Sequence, residues 1–275
     1  MPTLPSGSGP VPVRDSHRAR EMAESFGVDA ERYDRTRPRY PEALVRRIVD
    51  ASPGTAVLDA GCGTGIASRQ FQAAGCTVLG VDVDERMAAY AQRRGLEVEV
   101  AAFESWDPAG RTFDAVVSGQ TWHWIDPVAG PAKAAEALRP GGRLAVFWNA
   151  GVVPPEVAGA FAEVYERLMP GSLAARAWSS ALAGMSAMAE KTIGGIRDAG
   201  GFAEPEQWSF RWERTYTRDE WLDQLPTTGT HTSLPRAQLD EVLANIGEAV
   251  DAFGGSFTMD YTAQVVTAVR TVTAA

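Results

Sequence analysis

Nine consecutive residues carry the strongest chemical signal in this chain: Val57-Leu58-Asp59-Ala60-Gly61-Cys62-Gly63-Thr64-Gly65. Glycines at every second position let a chain turn tightly at the end of a strand. Lacking Cβ atoms, they also let a ligand approach the backbone. A dinucleotide-binding turn of the form G-x-G-x-x-G needs glycine where Ile66 stands. Asp59 departs from that pattern too, because a carboxylate repels a pyrophosphate but attracts an ammonium or sulfonium. A second acid, Asp82, ends the apolar run Val78-Leu79-Gly80-Val81 and is followed by Val83. At a strand end its carboxylate can accept both hydroxyls of a ribose. A nucleoside with cationic groups and no phosphates suits both acids, and S-adenosylmethionine is such a molecule.

For these side chains to meet, the chain must bring several strand ends together. Strand patterns at 55–59, 77–82, 113–118 and 143–148 alternate with helical patterns at 66–74, 85–94 and 131–138, and 96–101 alternates apolar with acidic residues. This alternation predicts βαβ units, hence a parallel sheet covered by helices on both faces. Helices are predicted at 17–26 and 41–50, the latter with Pro41 at its first position and Ala43, Leu44, Val45 and Ile48 on its apolar face. The stretch 151–200 is rich in Ala, Met and Gly and reads as helical; 207–216 reads as a strand. Leu239, Val242, Leu243, Ile246, Val250 and Phe253 follow helical spacing, and 256–269 reads as a final strand. The expected organisation is a disordered leader at 1–15, N-terminal helices and a cofactor-binding core at 16–150, a helical cap at 151–205, and strands and a helix completing the core at 206–275.

The segment Asp59–Gly65, joined in order by Asp82, Phe113-Asp114-Ala115-Val116-Val117 and Leu138-Arg139-Pro140-Gly141-Gly142-Arg143-Leu144, resembles the motifs of class I S-adenosylmethionine-dependent methyltransferases. Glu31-Arg32-Tyr33-Asp34-Arg35-Thr36-Arg37-Pro38-Arg39-Tyr40-Pro41 and Gly119-Gln120-Thr121-Trp122-His123-Trp124 resemble its small-molecule branch. The resemblance is close over roughly residues 30–150 and loose in the C-terminal strands. It implies an α/β, Rossmann-like, doubly wound sheet of seven strands, mostly parallel with an antiparallel last strand, plus a helical cap.

The resemblance also implies roles for individual residues. Gly61, Gly63 and Gly65 line the amino-acid part of the cofactor, with Asp59 near its ammonium and Asp82, beside Val83, on the ribose. Met87 packs on adenine or simply in the core, and Cys62 fills the turn rather than serving as a nucleophile. Ala102 stands where the family often has Asp near the adenine amine, so that contact falls to the backbone around Phe103 or to Glu104. Tyr33 and Arg37 lie in a segment that folds over the cofactor. Arg37 either forks onto the methionine carboxylate or belongs to an exposed linker, and Arg35 and Arg39 compete for the role. Gln120 to Trp124 sit beside the sulfonium and the acceptor. His123 either takes a proton from the acceptor or packs between Trp122 and Trp124, whose indoles offer cation–π contact, an apolar acceptor wall or plain core. Trp178, Met185 and Met188 within the cap, with Trp212 and Trp221 beyond it, suggest a partly apolar acceptor.

Composition narrows the alternatives. The 275 residues include 26 Lys+Arg against 35 Asp+Glu, a net charge of −9, which disfavours a dedicated nucleic-acid binder. No Asn/Asp-Pro-Pro-Tyr/Phe follows the fourth strand and there is no Pro-Cys pair, two further arguments against a nucleic-acid acceptor. Two cysteines and three scattered histidines supply no metal-binding spacing. No run of 18 apolar residues spans a membrane, and the N-terminus lacks the pattern of a signal peptide, so a cytoplasmic protein is expected. The expected partner is a small-molecule acceptor, with no nucleic acid and no membrane; the leader or the cap could support a homo-oligomer. Two other readings remain: a catalytically silent S-adenosylmethionine-binding protein, and a nicotinamide-dependent oxidoreductase, which Ile66 and Asp59 oppose.

Overall fold

The computed structural model describes residues 25–229, 231–232 and 234–271, leaving out the side chains of 25, 26, 173 and 176–183. The expected leader at 1–15, most of the expected helix at 17–26 and the Trp178 side chain therefore lie outside the described residues. Ser25–Asp29 is a 3-10 turn.

Strand β1 (Ala56–Ala60) alternates its side chains between two cores, as the period of two in a strand requires. Val57 joins one cluster with Leu44, Ile48 and Phe71, whereas Leu58 and Ala60 join another with Ala134, Trp148 and Ile196. Both faces of the sheet are thus covered, which is why its central strands read as near-continuous apolar runs. The remaining strands are β2 (Thr77–Asp82), β3 (Glu97–Val100), β4 (Phe113–Gly119), β5 (Leu138–Val152), β6 (Glu206–Thr217) and β7 (Ser256–Val269). They form one seven-stranded sheet in the order β3-β2-β1-β4-β5-β7-β6. β1 to β5 pair in parallel, and β7 runs antiparallel to both neighbours, as expected.

Among the described residues the α-helices are α1 (Ala30–Thr36), α2 (Glu42–Asp50), α3 (Ile66–Ala73), α4 (Glu85–Arg93), α5 (Ala129–Ala137), α6 (Pro155–Leu168), α7 (Leu173–Ala199), α8 (Arg218–Gln224) and α9 (Arg236–Ala252). Pro41 is the N-cap of α2 rather than its first residue. Helices α2, α3 and α4 cover one face, while α5 and the C-terminal half of α7 cover the other. This alters the expected role of 151–205. Ala189 and Ile196 of α7 pack with Val146, Trp148, Val266 and Ala268 of the sheet, making this half of the helix a core layer. The same half of the helix approaches the loop after β4, where a Cβ on Gly195 would run into the carbonyl of Pro127. Helices α6, α8 and α9 enclose a third, aromatic-rich cluster around Phe161, Tyr216, Trp221 and Phe257.

Candidate functional site

The sheet order reverses between β1 and β4, and a doubly wound sheet opens a crevice outside the carboxyl ends of its strands at such a point. A cavity of about 330 Å³ lies there, lined by residues at and just after the carboxyl ends of β1, β2, β3 and β4, by Asn149 of β5, by Tyr33 of α1 and the chain that follows it, and by Thr228 and Gly229. No described residue of 151–205 lines it; among its lining residues from outside the core sheet and its loops are Tyr33, Arg37 and Pro38, and the adjoining Thr228 and Gly229.

The glycine turn is built as its sequence requires. Gly61, Gly63 and Gly65 all have positive φ, at 72°, 55° and 83°. A Cβ at Gly61 would collide with the Thr121 side chain, whereas one at Gly63 meets nothing within 4 Å. Gly65 caps α3 and its N–H donates to the carbonyl of Cys62 at 2.9 Å. It does not line the cavity, in contrast to its expected ligand contact, because the turn into the helix carries it toward Arg69 and Leu96. Cys62 is buried and its Sγ fills the space beside Gly80, with burial holding the thiol protonated.

Two carboxylates sit at the adjoining strand ends. Asp82 Oδ2 accepts from the Gly63 N–H at 2.7 Å, and Oδ1 from the Asp84 N–H at 2.9 Å. Burial raises its pKa to about 6 against the opposing effect of these amides. Each oxygen keeps a second lone pair for a hydroxyl donor. Asp59 is 1% exposed; its Oδ2 accepts from Ser68 Oγ at 2.5 Å, and its Oδ1 has no hydrogen-bond partner. Burial raises this pKa to about 7, opposed by Ser68 and reinforced by the Asp82 charge. An orphaned buried carboxylate oxygen is costly until a donor arrives, and a cationic donor suits it best. The Thr64 hydroxyl is similarly buried without a partner.

Above the carboxylates, Arg37 lies over the Tyr33 ring at 4.7 Å, and its Nη2 donates to the Thr227 carbonyl at 2.5 Å. This separates the three candidate arginines. Arg37 lines the cavity; Arg35 binds Asp223 on the surface, and Arg39 reaches toward Asp34. Met87, Val83, Phe103 and Glu104 form the wall beside Asp82. Phe103 packs against Trp122 at 6.0 Å, and Glu104 Oε1 accepts from the Asp126 N–H at 3.0 Å, bracing the loop after β4.

That loop contains a 3-10 turn over Trp122–Trp124. Three residues per turn send successive side chains in three directions. Trp122 is therefore buried in the core against Phe103 and lines only a small inner cavity, not the large one where it was expected. His123 and Trp124 do face the large cavity. Desolvation, with a smaller contribution from Lys191, lowers the His123 pKa to about 4, so its imidazole is neutral near pH 7. Gln120 holds φ at 60°, unusual for a residue with a side chain. Its N–H donates to Phe147 and its Nε2 to the Asn149 carbonyl at 3.0 Å, which fixes the side chain at the cavity wall.

Asn149, Thr228 and Gly229 line the cavity without any recognised signal, while Tyr40 and Thr121 stood in quoted motifs without a role of their own. Tyr40 lies within the quoted 31–41 motif, and its hydroxyl sits beside Gly119, where a side chain would displace it. Asn149 accepts from Trp212 Nε1 at 3.2 Å and thereby links Trp212 to the cavity edge. Trp221, expected near an acceptor, stacks instead on Phe161 at 6.1 Å in the third cluster. His231 is also buried, at 3% exposure, bonded to Tyr165 through Nε2 at 2.9 Å and to Thr228 through Nδ1 at 2.6 Å.

The family model for a methyltransferase domain matches residues 57–142. An uncharacterised methyltransferase of Mycobacterium tuberculosis is 36% identical over 135 residues, 47% of this chain and 54% of that protein. The chain thus spans about half the length of these relatives. A malonyl-[acyl-carrier protein] O-methyltransferase of Enterobacter lignolyticus is 32% identical over 171 residues, covering 60% of this chain and 68% of that enzyme. A solved structure from Anaeromyxobacter dehalogenans, assigned provisionally as a type II methyltransferase, superposes with a TM-score of 0.61 at 28% identity, covering 86% of this chain and 97% of that one.

Proposed function

The chain belongs to the class I S-adenosylmethionine-dependent methyltransferases, and from that premise we propose that it transfers a methyl group to a small, partly apolar organic acceptor by in-line displacement. The observation that carries this reading is the pairing of two buried carboxylates with a glycine cradle at the switch point of the sheet. The residues fit the cofactor. Asp82 offers lone pairs to ribose hydroxyls, Asp59 Oδ1 offers a site to the ammonium, and Arg37 offers a guanidinium fork to the carboxylate. Gly61 and Gly63 permit close approach to the backbone, and Met87, Val83, Phe103 and Glu104 form a wall for the adenine.

When bound, S-adenosylmethionine supplies a methyl group already activated on a positively charged sulfur. The protein's own contribution is orientation and exclusion of water, effects that can supply about 7–11 kcal/mol in well-aligned systems. Under this proposal Gln120 and Trp124 bound the acceptor end and His123, which shares the cavity, is the candidate base; the desolvation that keeps it neutral also makes it a weak one, so its role falls to acceptors that are themselves acidic. The named activity of the malonyl-[acyl-carrier protein] relative supports an organic acceptor of this kind. Under the same proposal the protein works in the cytoplasm on a small molecule, without nucleic acid or membrane, alone or as a homo-oligomer. No helix among the described residues is long and apolar enough to cross a membrane.

Calorimetric titration with S-adenosylhomocysteine tests the reading. Micromolar binding is expected, weakened about 10- to 100-fold by Asp82→Ala, the range for hydrogen bonds to a charged group. Absence of binding by folded wild-type protein would refute the cofactor assignment.

A further inference from the structure

Helix α1 spans Ala30–Thr36, too short to hold its own conformation, yet it presents Tyr33 and the following Arg37 to the cavity. Its position must come from outside. On one side, Asp34, 4% exposed, pairs with Arg69 of α3 and receives the Tyr90 hydroxyl at 3.5 Å. On the other side a single carboxylate on α8 gathers two arginines one turn apart. Arg32 Nε donates to the Asp223 carbonyl at 3.0 Å and to Oδ1 at 2.9 Å; Arg35 Nη2 donates to Oδ1 at 2.9 Å and Oδ2 at 2.6 Å. The chain leaving α8 then supplies the Thr227 carbonyl that receives Arg37, and Thr228 and Gly229 of the cavity wall.

We propose that Asp223 is a positioning residue for the cofactor: by binding Arg32 and Arg35 it joins α1 to α8 and sets Tyr33 and Arg37 over the cavity. The inference rests on the reading of that cavity as the S-adenosylmethionine site. Its energetic signature differs from that of a structural ion pair. Arg35 is 59% exposed and Asp223 31%, so screening by solvent leaves the contact little weight in global stability. Its effect falls on how often α1 sits in the covering position, and hence on ligand retention.

The test uses the full chain, with S-adenosylhomocysteine as the probe, and measures its Kd by calorimetry, its dissociation rate by stopped flow, and Tm without ligand. Asp223→Asn is expected to raise Kd about three- to tenfold, through faster dissociation, with Tm within about 2 °C of wild type. Asp223→Glu, which keeps the charge, should restore much of the affinity. The pair Arg32→Gln and Arg35→Gln should cost a similar factor, and combining it with Asp223→Asn should cost no more, since all three side chains act as one unit. Unchanged Kd in Asp223→Asn, additive losses, or a large drop in Tm without ligand would each overturn the assignment. These outcomes all presuppose binding by wild type. A wild-type protein that ignores the probe would instead overturn the reading of the cavity, and the role of Asp223 with it.

Discussion

Asp59 and Asp82 are held in an environment that resists their charge, with burial raising their pKa values to about 7 and about 6. A carboxyl whose folded-state pKa is raised binds its proton more tightly folded than unfolded. The resulting cost is absent near pH 4, grows as pH rises toward 6 and 7, and is flat above, on the order of a few kcal/mol per group. Asp59→Asn is therefore expected to raise the Tm of the ligand-free protein at pH 7.5, with the gain fading toward pH 4. The same substitution should flatten the pH dependence of S-adenosylmethionine affinity. In wild type, a cationic ligand needs ionised Asp59, so Kd should rise as pH falls from 7 to 5. Melting curves and calorimetry across that range check both outcomes. The glycines make a second contrast. Gly63→Ala meets no neighbour but adds a methyl group at a cavity-lining residue with φ of 55°; Gly61→Ala adds a collision with Thr121. Both should weaken S-adenosylhomocysteine binding, and Gly61→Ala should lose more Tm, since the αL cost of about 1–2 kcal/mol is shared and the clash is not.

At the scale of elements, the site is framed by pieces that do not follow one another in the chain. The loop after β4 is braced by Glu104 through the Asp126 N–H and by α7 at Pro127. The cavity residues Thr228 and Gly229 are braced by His231. Thr228 Oγ1 donates to the Leu225 carbonyl at 2.8 Å, which leaves its oxygen to accept from His231 Nδ1–H, while Nε2 accepts from the Tyr165 hydroxyl. Desolvation lowers the His231 pKa to about 4, in keeping with this neutral tautomer. His231→Leu removes both hydrogen bonds and is expected to cost about 1–3 kcal/mol, or roughly 2–10 °C in Tm. Affinity for S-adenosylhomocysteine should fall with it, because Thr228 loses its support. Differential scanning calorimetry and titration read the two effects separately. The lowered pKa of His231 also gives the opposite sign to that of the acids: its contribution is lost as pH falls through 6.5 toward 4.

For the whole molecule, a ligand bound only by the folded state stabilises every element that the cavity joins. S-adenosylhomocysteine at about 100 times its Kd should add about 2.7 kcal/mol, or roughly 5–10 °C in Tm for a chain of this size, and Asp82→Ala should cut that to about 0.4–1.4 kcal/mol at the same concentration. Much of this architecture is legible in the sequence. The apolar strand runs, the glycine turn and the acids at 59 and 82 are local requirements of backbone geometry, burial and strand ends, and a local requirement leaves its mark on neighbouring residues. The strand at 256–269 and the helix through Leu239 and Val250 are legible for the same reason, since one side chain in two, or one in three to four, must be apolar. What the tertiary structure decided is which side of each element faces the cavity. Trp122 and His123 are adjacent, yet one enters the core and the other the site, because the 3-10 turn and its packing against Phe103 set their directions. Gly65 turns away into α3, and half of an expected cap becomes a layer on the sheet. Arg37 and Thr227 meet across 190 residues of sequence. A contact of that range has no local periodicity to announce it, because it exists only once the sheet has brought α1 and α8 side by side.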